Sequence, residues 1–254
     1  KYFFIFFNLS ELFVLKFILI FMITMATALF NMQSSFANTE KINQRIQNLP
    51  NELKPEFIDK TPIPDLYTLS NIRGSIWIDA SGRYLISGDI IDLENMQNIA
   101  DFNYQKHYAI NPKQLPTANA LKEIKGNGER VLYVFADPDC PACQALQGIL
   151  EEVDNITIYT FPMGLTHLHP SAIETSKNIW CSTDPIKAWK TYLLDGAKPN
   201  QRNNSCDQPI DQNMIMTKKY RINLTPTIFN SKGHRIVGVP QLESLEDFIN
   251  NTDH

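Results

Sequence analysis

Apolar residues fall into three patterns along the chain. After Lys16, "FILIFMITMATALF" runs for about fourteen largely apolar residues and gives way to polar "NMQSSFA". Short strand-like runs come next: "LYTLS" (66–70), "SIWIDA" (75–80) and "RYLISGDIIDL" (83–93), preceded by a short helix within 39–50 that Pro50 ends. "DASGR" supplies the turn between the last two runs, where Gly82 can take a positive φ. The third pattern begins at "RVLYVFAD" (130–137), a continuous apolar strand of the buried type. A helix from Pro141 and a strand "ITIYTF" (156–161) follow it. Strand, helix and strand within about thirty residues predict a parallel βαβ unit.

Residues 101–130 read as a connection: "NPKQLP" is turn-rich, "TANALKEIK" predicts a short helix, and "GNGER" breaks it with two glycines. Beyond 161 the pattern is helical over "SAIETSKNIWC", "IKAWKTYLL" and "PIDQNMIMTKKYRI". Asp184 and Pro185 read as N-cap and first helical residue of the second of these. A strand "TPTIFN" (225–230), a turn at Gly233 and a strand "RIVGV" (235–239) come next. The closing helix has Leu242, Leu245, Phe248 and Ile249 on one face. Two domains are predicted. The first, to about residue 100, is a small α+β unit with an antiparallel sheet, without cysteine or catalytic cluster. One helix covers such a sheet poorly, and its edge strand invites pairing with a second copy. The second is βαβ, helical insertion, ββα.

Lys16, the apolar run, and small residues at Ser35 and Ala37 have the layout of a secretory signal over 1–37. The run is short of the roughly 20 residues that span a bilayer; a permanent anchor is the alternative. Cleavage after Ala37 leaves 38–254 and removes Lys1, Lys16 and Glu11, moving the formal net charge from −4 to −5. Nothing basic is clustered, so nucleic acid is not an expected partner. All four cysteines lie beyond the signal. In a chain bound for an oxidising compartment, that favours disulfide chemistry.

Cys140 and Cys143 sit three apart in "FADPDCPACQAL". Proline is tolerated at the first helical position, which makes Cys140 the N-cap of the helix from Pro141. Apolar residues then recur at Cys143, Leu146, Ile149, Leu150 and Val153. Cys143 therefore faces the core and Cys140 the exposed helix end, where free N–H groups and the helix dipole favour a thiolate. This is the arrangement of an attacking and a resolving thiol. Asp137 and Asp139 oppose it with negative charge, and the dipole is expected to prevail. A metal site is the competing reading, but structural zinc usually takes two such pairs or a pair with two spaced histidines. Cys181 and Cys206 are too dispersed for that, and His167 and His169 lie in the loop "LTHLHP". These histidines read as solvated loop residues, with lining of a substrate groove as the alternative. A purely structural Cys140–Cys143 bond is the third reading of the pair.

"FADPDCPACQAL", "NIWC" and "TPTIF" resemble the DsbC/DsbG family of bacterial periplasmic disulfide isomerases. "VFADP" and "VGVP" are more like DsbG, and the extra cysteine pair is more like DsbC; Pro-Ala between the first two cysteines departs from the commonest versions of either. The resemblance implies a signal peptide over 1–37 and a cystatin-like α+β dimerisation domain over 38–105. A linker helix region over 106–129 and a thioredoxin fold with helical insertion over 130–254 complete it. It implies thiol:disulfide exchange with Cys140 as nucleophile and Cys143 as resolving thiol, and Thr225 and Pro226 as a cis-proline loop that pairs with extended substrate. It implies a structural disulfide between Cys181 and Cys206, two buried free thiols being the alternative. The expected species is a periplasmic homodimer acting on misoxidised exported proteins and recharged by a membrane thiol relay, with no metal or organic cofactor. A thiol oxidase and a chaperone with incidental cysteines are the competing functions.

Overall fold

A computed structural model describes residues 39–199 and 206–250, together with Lys16, residues 18–22 and Met25. The signal read over 1–37 lies almost wholly outside the described residues. Among those described, no helix is long and apolar enough to cross a membrane. The described residues divide into two compact units, one running to Leu69 and resuming over Trp77–Ser87, the other comprising Ser70–Ile76 and the residues from Gly88 onward.

Residues 39–46 form helix α1, and a four-stranded sheet follows in the order β1 (Phe57–Lys60), β2 (Leu66–Asn71), β3 (Gly74–Asp79), β4 (Leu85–Ile86). β4 runs antiparallel to β3, with Trp77 opposite Ile86. Trp77 and Ile42 are fully buried, so helix and sheet share an apolar layer. The turn before β4 uses Gly82 at φ 71°, and a Cβ there would press on Arg45 and on the Ile42 backbone. Glycine is thus required both for the left-handed turn and for the close approach of α1. The run read as one strand over 83–93 is broken: β4 is two residues long, and β5 (Ile91–Asp92) pairs instead with β6 (Gln97–Asn98).

Helix α2 (Ile99–Tyr108) starts at Asn98, whose side chain accepts the N–H groups of Ala100 and Asp101. Tyr104 and Tyr108 stack one turn apart at 4.6 Å. Gln105 both accepts from the Arg235 N–H and donates to its carbonyl, at 2.7 and 2.9 Å. The connecting helix thus lies at 99–108, earlier than the sequence reading placed it. "TANALKEIK" is a single 3₁₀ turn (Thr117–Asn119) followed by strand β7 (Leu121–Lys125). Five residues of β7 pair antiparallel with β9, and this ladder outweighs the helix-favouring Lys and Glu side chains.

β7 is the edge of a five-stranded sheet, β11-β10-β8-β9-β7. β8 (Arg130–Ala136) and β9 (Ile156–Pro162) are parallel and joined by α3 (Pro141–Glu152), the βαβ unit expected from the apolar pattern. Helices α4 (Ala172–Trp180), α5 (Pro185–Asp195) and α6 (Ile210–Lys219) form the insertion. β10 (Thr227–Asn230), β11 (Arg235–Val237) and α7 (Leu242–Asn250) close the domain. Asp184 caps α5 by accepting the Lys187 N–H, with Pro185 in the first turn. Alternation along β8 feeds two cores. Leu132, Val134 and Ala136 face α3, α5 and α7, while Phe135 faces Phe161 and Phe229 on the other side. Phe135 stacks on Phe161 at 4.7 Å and meets Phe229 edge-on at 6.0 Å. All three rings are fully buried, each contributing about 2 kcal/mol of apolar burial.

Candidate active site

The register of the sheet brings the cysteines and the Thr225 segment together. β10 is antiparallel to β8 with Thr227 opposite Phe135, so the residues entering β10 lie beside the chain leaving β8. That chain leads through Pro138 to Cys140, the N-cap of α3, with Pro141 at its start. The Thr225–Pro226 bond is cis, and the Cys140 thiol donates to the Thr225 carbonyl across 3.5 Å. The Thr225 hydroxyl is buried with no conventional hydrogen-bond partner.

Both Cys140 and Cys143 are free thiols. Their environments differ in the direction that matters. The Cys143 thiol beside Cys140 holds the Cys140 pKa down, to about 5. Burial opposes this, and the Thr225 hydroxyl and the N–H groups of Cys143 and Ala142 add to the lowering. Burial pushes Cys143 far up, and the neighbouring Cys140 adds to that rise. One sulfur is thus set as thiolate and its neighbour as protonated donor. Cys140 is not exposed as the helix-end position suggested: it is only 8% accessible, against 2% for Cys143. Residues far away in sequence cover it, the Thr225 segment among them.

The two acidic residues before Cys140 are held by specific donors. Asp137 is fully buried. Its carboxylate accepts the Asp139 N–H at 2.9 Å, the Leu165 N–H at 2.7 Å and His169 Nδ1 at 2.9 Å. Its carbonyl accepts the Cys140 N–H. Asp139 accepts the hydroxyls of Ser171 and Tyr192 at 2.6 and 2.8 Å. His169 is therefore no solvated loop residue: the Asp137 carboxylate raises its pKa, and its side chain is 19% exposed. His167 is exposed. Two carboxylates at the end of a buried strand need donors, but nothing near them in the chain says that the loop carrying His169 supplies one.

Farther out, the sulfur atoms of Cys181 and Cys206 are bonded, 25 residues apart in sequence. Cys181 caps the C-terminus of α4 and Cys206 precedes α6, so the bond encloses α5. α5 in turn is tied to α3, where the Trp189 indole N–H donates to Gln147 at 3.1 Å. Among the described residues, no group of three or more His, Cys, Asp or Glu side chains is placed to hold a metal ion.

Comparison with known proteins assigns both domains. Residues 117–252 match the thioredoxin-like domain and residues 33–101 the disulfide bond isomerase protein N-terminal domain. The chain is 33% identical over 171 residues to the probable thiol:disulfide interchange protein DsbC of Bordetella pertussis, a match covering 67% of this chain and 60% of that protein. It is 26% identical over 194 residues to the thiol:disulfide interchange protein DsbG of Escherichia coli, covering 70% and 77%. A crystal structure of a disulfide interchange protein from Neisseria gonorrhoeae superimposes with a TM-score of 0.52 at 31% identity, over 55% of this chain and 99% of that one. With a thioredoxin-like domain behind a DsbC-type N-terminal domain, the chain belongs to the DsbC/DsbG family of thiol:disulfide interchange proteins.

Proposed function

We propose that the protein is a periplasmic disulfide isomerase and reductase acting on misoxidised exported proteins. The observation that carries this reading is the pair of unequal sulfurs, Cys140 favoured as thiolate and Cys143 buried and protonated behind it. The Cys140 thiolate attacks one sulfur of a substrate disulfide, forming a mixed disulfide and expelling the other sulfur as a thiolate. If the freed substrate thiolate then attacks a second substrate disulfide, and the thiolate expelled there attacks the mixed disulfide, Cys140 leaves as thiolate and the substrate is isomerised without net redox change. If Cys143 instead gives up its proton and attacks Cys140 Sγ, the substrate leaves as a dithiol. Two electrons have then passed to it from the protein, which is left as the Cys140–Cys143 disulfide. A membrane thiol relay restores the dithiol. Thr225 and Pro226 supply the backbone against which an extended substrate lies.

One observation favours a second reading. A stabilised thiolate stabilises the reduced form and makes the corresponding disulfide a strong oxidant, as a thiol oxidase requires. Acid trapping of thiols in the native compartment separates the two. Cys140 should be found mostly free for an isomerase; a population mostly disulfide-bonded at Cys140–Cys143 would replace isomerase by oxidase. Full activity in Cys140→Ala would leave only a chaperone.

We propose further that the working species is a homodimer formed through the N-terminal sheet. β4 presents Leu85 and Ile86 at its edge, 43% and 45% exposed, and a second copy would pair the edge and cover them. Full-length protein should sediment as a dimer. Leu85→Lys with Ile86→Lys should give a monomer that reduces a simple disulfide yet loses most isomerisation of a scrambled substrate. A wild-type monomer, or a monomeric variant that isomerises normally, would defeat the dimer model.

A further inference from the structure

The loop after β9 is tied to Asp137, in the segment before Cys140, by two bonds and braced by a third within the loop itself. Leu165 donates its N–H to Asp137 Oδ2 at 2.7 Å, and the His169 N–H returns to the Leu165 carbonyl at 2.8 Å. These two bonds turn the loop so that His169 Nδ1 reaches the same carboxylate oxygen at 2.9 Å. A carboxylate with no exposed surface is costly to keep charged unless a cation or several donors accompany it. Asp137 lies three residues before Cys140, and its carbonyl holds the Cys140 N–H. Any negative charge left uncompensated there acts at short range on a second anion, the thiolate.

We propose, building on the thiol-exchange reading, that His169 is a positioning residue for the reaction: its charged ring neutralises the buried Asp137 and so keeps that carboxylate from opposing the Cys140 thiolate. The groups that act on the ring electrostatically are Asp137, Asp139 and Cys140, and each of them favours the imidazolium. Ser171 at the start of α4 and Tyr192 on α5 hydrogen-bond to Asp139, whereas Asp137 takes His169 beside two backbone N–H groups. The His169 pKa is raised in the folded protein, so the stabilisation linked to the His169 proton is present below about pH 6.5 and fades as pH rises through the raised value.

The test is the ionisation midpoint of Cys140, read from thiolate absorbance and alkylation rate against pH in the full-length reduced protein. His169→Ala removes charge and donor. His169→Asn can keep a donor near Nδ1 and removes only the charge. Both should raise the midpoint by about 1 pH unit, and adding Asp137→Asn to either should bring it back down. A midpoint unchanged in both, or raised by Ala and not by Asn, overturns the proposal, because the charge would then be irrelevant. If the variants do not fold, the reciprocal measurement on the unsubstituted chain decides. By linkage, capping Cys140 with iodoacetamide should lower the His169 midpoint followed by NMR, and no change overturns the proposal. Neither measurement uses isomerase activity. A coupled pair in a protein that traps as an oxidase would leave this inference standing and remove only the functional reading it builds on.

Discussion

At pH 7 the reduced protein is expected to react with iodoacetamide at Cys140 at least about a hundredfold faster than at Cys143. With its pKa held down to about 5, Cys140 is expected to be mostly thiolate at that pH. Burial raises Cys143, and each unit above pH 7 costs a thiol about tenfold in thiolate while returning only about threefold in intrinsic nucleophilicity. Access acts the same way, since Cys143 is 2% exposed. The rate at Cys140 should rise through a midpoint near pH 5 and stay flat above it, whereas an ordinary cysteine has its midpoint near 8.5. Peptide mapping after a short pulse measures both. Equal labelling, or a Cys140 midpoint in the ordinary range, would end its assignment as the nucleophile.

The second large effect is on stability. Replacing Cys181 and Cys206 together by serine should cost about 3 kcal/mol, the loop-closure entropy of a cross-link across this separation. In a chain of this size that lowers Tm by about 6–12 °C. The bond closes around α5, whose Trp189 is anchored on α3 by Gln147, so the reach of its loss is measurable. If α5 loosens, the cost extends to the helix that begins at Cys140, and the alkylation midpoint of Cys140 shifts with it. If α5 holds through its core contacts, only Tm moves. An unchanged Tm in the serine variant, or both cysteines found free in the oxidised protein, would show that the cross-link does not stabilise the domain.

Local chemistry wrote much of this fold directly into the chain. Pro141 starts α3, Asp184 and Pro185 start α5, and the Leu242, Leu245, Phe248 and Ile249 stripe makes α7. Each rests on interactions within one turn of helix or one face, so a short window of sequence is enough to read it. The apolar run of β8 followed by α3 and β9 gave the parallel pair for the same reason: a strand buried on both faces has no polar side to show. β7 was not legible, because "LKEIK" becomes a strand only through its pairing with β9, and α2 was missed where Asn98 and the Tyr104–Tyr108 pair offered a weaker signal. The break of the 83–93 run into β4 and β5 likewise depends on which strand each piece pairs with.

At the candidate site the division is the same. The sequence by itself determined that Cys140 begins a helix and that Cys143 lies on its buried stripe, since both follow from Pro141 and helical periodicity. Only the tertiary structure decided that Cys140 is covered, because Thr225 reaches it through the register of β10 on β8. Only the tertiary structure made His169 the partner of Asp137, thirty-two residues away. Charge compensation inside a protein is settled by distances of a few ångströms, and no local pattern along the chain encodes which loop will supply them.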